Sequence, residues 1–353
     1  MRITRVRASD FRNLTFADVD TDAPRVFLLG ANGQGKTNLI EAAGLVTALR
    51  SFRVTDIEPL VRIGCNEARV RVDVDLGPEG TSAVEAVLAK GSRRARVDGA
   101  AIPSTTELVS RFPTVVFCSD DLRLVRGSPG NRRRWLDLAL SGTDPSYLRA
   151  LRAYTRALES RNALLKTGVA DDAQFDAIEH AMLAPASTLA ATRREALAQL
   201  APELREVCDT AGFRDLAQLE AKPDTAEDML AQSWREGRRV DRSTETTRRG
   251  PHRDDFDILF GGHPASTHAS EGQQRLVVLA LCLAQLRRAD RRASTPPVIL
   301  ADDVLGELDE QRRLAFWSAV GTRHQVLATG TTPPPDGNWR VYQVENGGYR
   351  LLG

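Results

Sequence analysis

The residues Gly30 to Thr37 read GANGQGKT, the G-x-x-x-x-G-K-[ST] spacing at which a backbone can cradle phosphate. Gly30, Gly33 and Gly35 let the chain curl so that successive N–H groups point inward, with Ala31, Asn32 and Gln34 completing the loop. The N-terminus of a following helix adds partial positive charge. Lys36 is placed to reach the β- and γ-phosphates of ATP, and Thr37 to offer its hydroxyl to Mg²⁺. Far downstream, Val298 to Asp309 reads VILADDVLGELD, an apolar run that ends in Asp302 and Asp303. Adjacent carboxylates repel, so a cation or a reacting water is the natural reason to keep both. Asp302 is expected to hold Mg²⁺ directly or through water, and Asp303 to orient or deprotonate an attacking water. The bland alternatives are a glycine turn and a pair of capping aspartates. A strand before the loop, a helix after it and a strand before the acids all favour the chemistry.

Between these lies Ala269 to Arg275, ASEGQQR. Ser270 and Gln273 make a capping box ahead of the apolar run Leu276 to Leu286, which needs no function at all. Gly272 is not explained that way, because glycine in a first turn costs helix stability. Close approach of a phosphate would explain it. One monomer would not bring this helix start and the glycine loop to the same γ-phosphate, so a second copy would have to supply one of them. At this point both readings stand.

The elements that must position these residues fall into three sections. Residues 1–127 alternate short apolar runs with turns: Arg25 to Leu29 as a strand feeding the loop, then a helix with Leu39, Ala42, Ala43, Val46 and Leu49 on one face. Val70 to Leu76 alternates as a strand with its turn at Gly77 to Gly80, and Val115 to Cys118 makes another strand. Residues 128–245 carry helical spacing from Tyr147 to Leu165 and again from Phe175 to Val207. Pro185 and Pro202 are expected to kink or divide the second run. Residues 246–353 return to strands and turns. The expected fold is α/β, a nucleotide-binding head with a mixed sheet, split in sequence by a mainly helical arm.

Bulk properties fit a protein of the cytoplasm. No apolar run approaches the length of a membrane span, and MRITRVRASDF has no signal-peptide core. Cys65, Cys118, Cys208 and Cys282 are scattered, as free thiols in a reducing compartment would be. Of 48 basic residues only Lys36, Lys90, Lys166 and Lys222 are lysine, which points first to a GC-rich genome and second to phosphate contact.

The loop, the Ser-x-Gly-Gln string and the strand-borne acids resemble ABC-type ATPases. The long helical step from Lys36 to Ser270 resembles their DNA-repair branch, and within it the RecF family of bacterial recombination mediators. That resemblance runs through the whole chain: DFRNL from Asp10, GANGQGKTNLIEA, DDLRLVRGSPGNRRRWLD from Asp120, SRNALLK from Ser160, GPHRDD from Gly250, ASEGQQR, DDVLGELD, and Gln325 to Thr332. It implies ATP and Mg²⁺ as cofactors and an ATP-dependent homodimer on duplex or gapped DNA. It also implies slow DNA-stimulated hydrolysis, and work with RecR and RecO to help RecA load. By position, Ser270 would contact the γ-phosphate across the dimer, Asp309 would belong to the interface loop, and Arg53 would lie near the nucleotide.

The chain departs from the wider ATPase pattern at three places. Acid 303 is aspartate where most ABC heads use glutamate, the switch near Thr329 has no histidine, and Gly306 stands where RecF sequences often carry serine. His324 reads as structural, and His263 with His268 makes no metal site. DNA contacts are expected to be to phosphate and blind to sequence, with Arg132, Arg133 and Arg134 the first candidates. Further candidates are Arg93-Arg94-Arg96, Arg238-Arg239 with Arg242, and Arg248-Arg249. A transporter head would carry its signature nearer the loop, and a chromosome-organising SMC protein would need long heptads. A RecF-like paralogue outside repair fits the same residues.

Overall fold

The structure is a computed structural model. It describes the whole chain except residues 49–50, 55, 90, 103–107, 109–110, 119–120, 122, 169–170, 211–216, 294, 305–309, 335–337 and 353. Chain order begins with β1 (Arg2–Phe11), β2 (Leu14–Asp20), β3 (Arg25–Leu29), α1 (Lys36–Ala48), β4 (Glu67–Asp75), β5 (Thr81–Ala89), β6 (Ser92–Val97), β7 (Ala100–Ala101) and β8 (Thr114–Cys118). Helices follow: α2 (Arg123–Arg126), α3 (Pro129–Ser141), α4 (Pro145–Thr167) and α5 (Asp172–Thr210), then β9 (Ala217–Lys222), α6 (Leu230–Thr244), β10 (Asp255–Phe260), β11 (His263–Pro264), α7 (Ala265–His268) and α8 (Glu271–Arg292). The chain closes with β12 (Val298–Asp302), α9 (Glu310–Val320), β13 (Val326–Gly330), β14 (Arg340–Glu345) and β15 (Gly348–Leu351).

Contacts divide the chain into two units, Met1–Asp120 with Ala289–Gly353, and Asp121–Arg288. In the first unit, one sheet runs β15-β14-β3-β13-β12-β8, with every pairing parallel except that of β15. Its strands β12 and β13 are buried at every position, as expected of strands covered on both faces. The other sheet, β2-β1-β4-β5-β6-β7, is antiparallel and alternates cleanly. Val70, Val72, Val84 and Leu88 face inward, while the outer face is laced with ion pairs such as Arg71–Glu85 and Arg7–Asp73, at 2.6 and 2.7 Å. Part of the arginine excess is therefore spent on the sheet itself. Helix α1 touches β1, β4 and β5 of this sheet and β8, β12 and β13 of the parallel one. Its buried residues Leu39, Ile40, Ala42, Ala43 and Leu45 explain why it is apolar on more than one face.

The second unit is built on α4 and α5, packed on each other, with the three-stranded sheet β11-β10-β9. Helix α5 is not divided: it continues from Asp172 to Thr210 with Pro185 and Pro202 inside it. Each proline forfeits an N–H bond, but Met182, Ala186, Leu189, Leu197, Leu200 and Leu204 are buried along the same helix, and that burial offsets the loss. Residues 246–288 group with this unit rather than with the strands that follow them. The reason is pairing: β10 aligns antiparallel with β9, Asp255 against Lys222.

Candidate nucleotide site and signature helix

The glycine loop connects β3 to α1. Gly33 and Gly35 have φ of 81° and 106°, where a side chain would be strained. Gly30 is excluded from carrying a side chain for another reason, since a Cβ there would lie 2.4 Å from the Val344 carbonyl oxygen. The loop is held from outside by residues that motif reading did not select. In the β14–β15 turn the Asn346 N–H donates to Gln34 Oε1 at 2.7 Å, and the Gly347 N–H donates to the Gln34 carbonyl at 3.0 Å. Tyr349 donates its hydroxyl to the Gly35 carbonyl at 3.0 Å, and Asn13 Nδ2 donates to the Gly33 carbonyl at 3.3 Å. No local pattern links these positions to the loop: the strand order β15-β14-β3 brings up Asn346, Gly347 and Tyr349, and Asn13 comes from the turn between β1 and β2.

Lys36 is buried and donates from Nζ to the carbonyls of Gly30 and Ala31, at 2.5 and 2.8 Å. Burial pushes its pKa down, and the charges of Asp303 and Asp302 work against that shift. Because β13 lies between β3 and β12, Thr329 stands beside the acid strand, opposite Asp302 in register. Asp302 Oδ1 accepts from Thr37 Oγ1 at 2.6 Å and from Thr329 Oγ1 at 2.9 Å. Burial raises the Asp302 pKa, and these two hydroxyls oppose the rise. The Asp303 N–H donates to Thr329 Oγ1 at 3.0 Å, and Asp303 itself takes a left-handed φ of 51°. Such backbone strain is held where the surroundings over-determine it.

The donor set suits magnesium. Thr37 and Asp302 offer hard oxygens in contact with each other, and among the described residues no cluster of three or more His, Cys, Asp or Glu forms an all-protein cage. A cation bound by one or two protein oxygens plus substrate phosphate is the habit of Mg²⁺ rather than of zinc.

Arg53 belongs to a network behind the loop. Glu41 is fully buried and takes a two-pronged bond from Arg12, at 2.7 and 2.9 Å. It also accepts from Ser51 Oγ and lies 3.5 Å from Arg53. Arg53 Nη1 further donates to Asn38 Oδ1 at 3.1 Å, and Asn38 Nδ2 to Asn13 Oδ1 at 2.6 Å. Arg53 is thus tied to the start of α1. Asp309 and Gly306 lie outside the described residues.

The signature residues belong to the second unit. The capping box is formed: Ser270 N–H donates to Gln273 Oε1 at 2.7 Å, and Gln273 N–H to Ser270 Oγ at 3.3 Å. Ser270 and Gly272 are exposed, and a Cβ at Gly272 would meet nothing within 4 Å. Packing within the chain therefore gives no reason for that glycine. Gln274, which sequence reading passed over, is buried and donates to the carbonyls of Ala265 and Ala269, at 3.1 and 2.8 Å. It fixes the path of the chain into Ser270.

GPHRDD proves to be a latch inside the second unit. Gly250 has φ of 122°, with Tyr154 Oη 2.8 Å from where its Cβ would be. His252 is bonded between Tyr154 Oη and the Thr247 carbonyl, at 2.7 and 2.9 Å, and burial holds its pKa below the usual value. Arg193 donates to the Pro251 carbonyl at 2.6 Å. Arg132 forks onto Asp255 with two bonds of 2.8 Å, and Arg133 donates to the Asp254 carbonyl at 2.8 Å. Of the first DNA candidates, then, Arg132 and Arg133 are engaged within the chain, and Arg134 is only partly exposed. Arg238 is likewise buried, on Glu179. The charge run was visible in sequence; the carboxylates facing it were not.

Residues 2–333 match the family described as the RecF/RecN/SMC N terminal domain. The chain is 37% identical to a protein of Anaeromyxobacter dehalogenans (strain 2CP-C) named DNA replication and repair protein RecF, over 98% of each. A protein of the same name from Synechococcus sp. (strain JA-3-3Ab) is 35% identical, over 91% of this chain and 89% of that one. Among solved structures, the recombination mediator RecF with ATP is similar with a TM-score of 0.89 at 24% identity, covering 100% of this chain and 98% of that one. A chain from the SmcHead bound to the C-winged helix domain of ScpA is similar with a TM-score of 0.57 at 14% identity, over 100% of this chain and 97% of that one. Both likenesses speak for an ABC-type ATPase head fold.

Proposed function

This chain belongs to the RecF family of DNA replication and repair proteins, and from that membership we propose that it is an ATP-gated DNA clamp whose slow hydrolysis resets it. The observation that carries the reading is the junction at Asp302, where hydroxyls from the phosphate loop and from β13 converge on one buried carboxylate beside Lys36. Lys36 leaves its loop carbonyls to hold the β- and γ-phosphates of ATP, and the loop N–H groups of residues 30–35 take the remaining oxygens. Thr37 and Asp302 hold Mg²⁺, which neutralises charge developing on the phosphates. Asp303, tethered through its backbone to Thr329, orients the attacking water. Its short side chain and the threonine in place of a histidine suit slow turnover.

Ser270, Gly272 and Gln273 meet the ATP of a second copy, with Asp309 in the loop at that interface. The bare surface over Gly272 supports this, since close approach by a partner's phosphate gives the glycine its purpose. Arg53, tied to Asn38 at the start of α1, contacts the bound nucleotide. Functionally the head comprises residues 1–127 and 246–353, split in sequence by the arm, 128–245, with residues 246–288 packed in the arm's contact unit. DNA binds through phosphate, on duplex and at single-strand/duplex junctions. With Arg132 and Arg133 engaged elsewhere, the exposed Arg94 and Arg96 of β6 are better placed in charge to meet it, and Arg134 stays a candidate. RecR and RecO are the partners with which it helps RecA load. The protein works in the cytoplasm; among the described residues no helix is long and apolar enough to cross a membrane.

Sizing by light scattering with and without MgATP, in the presence of gapped, duplex or single-stranded DNA, tests the whole reading. The expected outcome is a monomer without nucleotide, a dimer with MgATP, and tighter DNA binding by the dimer. A monomer under all conditions would reject the clamp.

A further inference from the structure

Three consecutive carbonyls of the phosphate loop are gripped from behind. The Gly33 carbonyl accepts from Asn13 Nδ2 at 3.3 Å, the Gln34 carbonyl from the Gly347 N–H at 3.0 Å, and the Gly35 carbonyl from Tyr349 Oη at 3.0 Å. The Gln34 side chain is held as well, because its Oε1 accepts from the Asn346 N–H at 2.7 Å. All but one of these donors belong to the β14–β15 hairpin.

A trans peptide unit is planar, with its C=O and the following N–H pointing opposite ways. Fixing the carbonyls of residues 33, 34 and 35 outward therefore fixes the N–H groups of Gln34, Gly35 and Lys36 inward. Among the described residues those N–H groups have no acceptor, which leaves them to phosphate oxygens. Without the grip these planes would be loose, since Gly33 and Gly35 cross between positive and negative φ at little cost.

The grip is preformed. Asn346 and Gly347 have φ of 49° and 77°, and Glu345 pairs with Gly348 across them. Two central residues at positive φ mark a type I′ hairpin turn, which an Asn-Gly pair favours on its own. Such a turn bonds its first and fourth residues and leaves the N–H groups of the central two unused. Both of those N–H groups go to Gln34.

We propose, on the reading of Gly30 to Thr37 as the ATP loop, that the β14–β15 hairpin is a working part of the phosphate site. Gln34 and Tyr349 are its positioning residues, aiming the loop N–H groups at the phosphates common to ADP and ATP. The Gln34 side chain is thus a tether to the hairpin. Tyr349 remains a donor, because burial pushes its hydroxyl pKa up. Neither bond is needed for folding. The Gly35 carbonyl also accepts from the Asn38 and Leu39 N–H groups, and the Asn346 bond is exposed, so water can replace it. What the two bonds supply is preorganisation, which lowers the ordering cost met on binding.

The test uses the full chain, titrated calorimetrically with MgADP and with MgATP, beside thermal scans without nucleotide. Tyr349→Phe and Gln34→Met each remove one bond, leave the charge unchanged and nearly keep the size. Each should weaken ADP and ATP by the same factor, about fivefold, the scale of one neutral hydrogen bond. Nucleotide-free midpoints should stay within about 2 °C of wild type. In steady-state hydrolysis Tyr349→Phe should raise KM by that factor with little loss of kcat, as removal of binding shared by ground and transition states does. Unchanged nucleotide affinity in either variant would overturn the proposal. So would a loss confined to ATP, a fall in kcat at constant KM, or a larger drop in midpoint, which would make the hairpin merely structural. If the wild type binds neither nucleotide, the reading of the loop itself fails and the hairpin's role with it.

Discussion

Asp302 illustrates how a residue chosen for its charge is held at a cost to the fold. It sits at the end of a strand buried throughout, and burial alone raises its pKa. A carboxyl whose folded pKa lies above its unfolded value binds more protons folded than unfolded. Its contribution to stability is therefore most favourable below the unfolded pKa and declines as pH rises through the folded one. At neutral pH the charge is a burden that a bound cation relieves. Asp302→Asn keeps an oxygen for Thr37 and Thr329 and removes that burden. The nucleotide-free variant should melt above wild type at neutral pH, with the gap closing under acid conditions. It should also lose most of the midpoint rise that MgATP gives the wild type. Thermal scans with and without MgATP read both effects, and a variant that melts lower and still responds to MgATP would contradict this account of Asp302.

At the scale of elements, the arm is pinned by a buried charge cluster that no spacing announced. Arg161 on α4 is fully buried, bonded to Glu179 of α5 at 2.9 and 3.1 Å and to Asp241 of α6 at 2.7 Å. Phe175 lies beneath Arg161, Arg238 and Arg242, with guanidinium carbons 5.0–5.7 Å from its ring centre. Removing Arg161 leaves the buried Asp241 without a charged partner, while Glu179 keeps Arg238, and breaking a buried pair in this way costs about 3–5 kcal/mol. Arg161→Met should lower the urea midpoint accordingly without changing ATP affinity, and a loss under about 1 kcal/mol would mean water already screens the cluster. The reading of this region from sequence was uneven for a physical reason. The phosphate loop was legible because eight consecutive residues carry both its conformation and its chemistry, and the acids because an apolar strand announces its own end. Helix α5 was not divided at its prolines because tertiary burial outweighed a local penalty. The turn at Asn346 and Gly347, and the carboxylate facing Arg132, were invisible because they depend on which strands become neighbours.

For the whole molecule the open question is what Ser270 is for. The phosphate loop and the signature helix belong to different contact units, so a role for Ser270 in the ATP site has to be tested rather than read from adjacency. Its capping bonds account for Ser270 and Gln273, and leave Gly272 alone unexplained. Cap and trans contact make opposite demands, which allows them to be separated. Aspartate is as good a helix cap as serine, so Ser270→Asp should leave the fold and ATP binding intact. Set against the γ-phosphate of a second copy, however, the same carboxylate is repelled in a poorly hydrated gap. A cost of about 2.7 kcal/mol there weakens association about a hundredfold. Ser270→Arg loses the cap as well and should behave as badly or worse. Light scattering over a concentration series with MgATP measures the difference directly. If Ser270→Asp dimerises as wild type does, Ser270 is a cap and nothing more. If it stays monomeric while binding ATP normally, the gate of this protein is the contact between two of its copies.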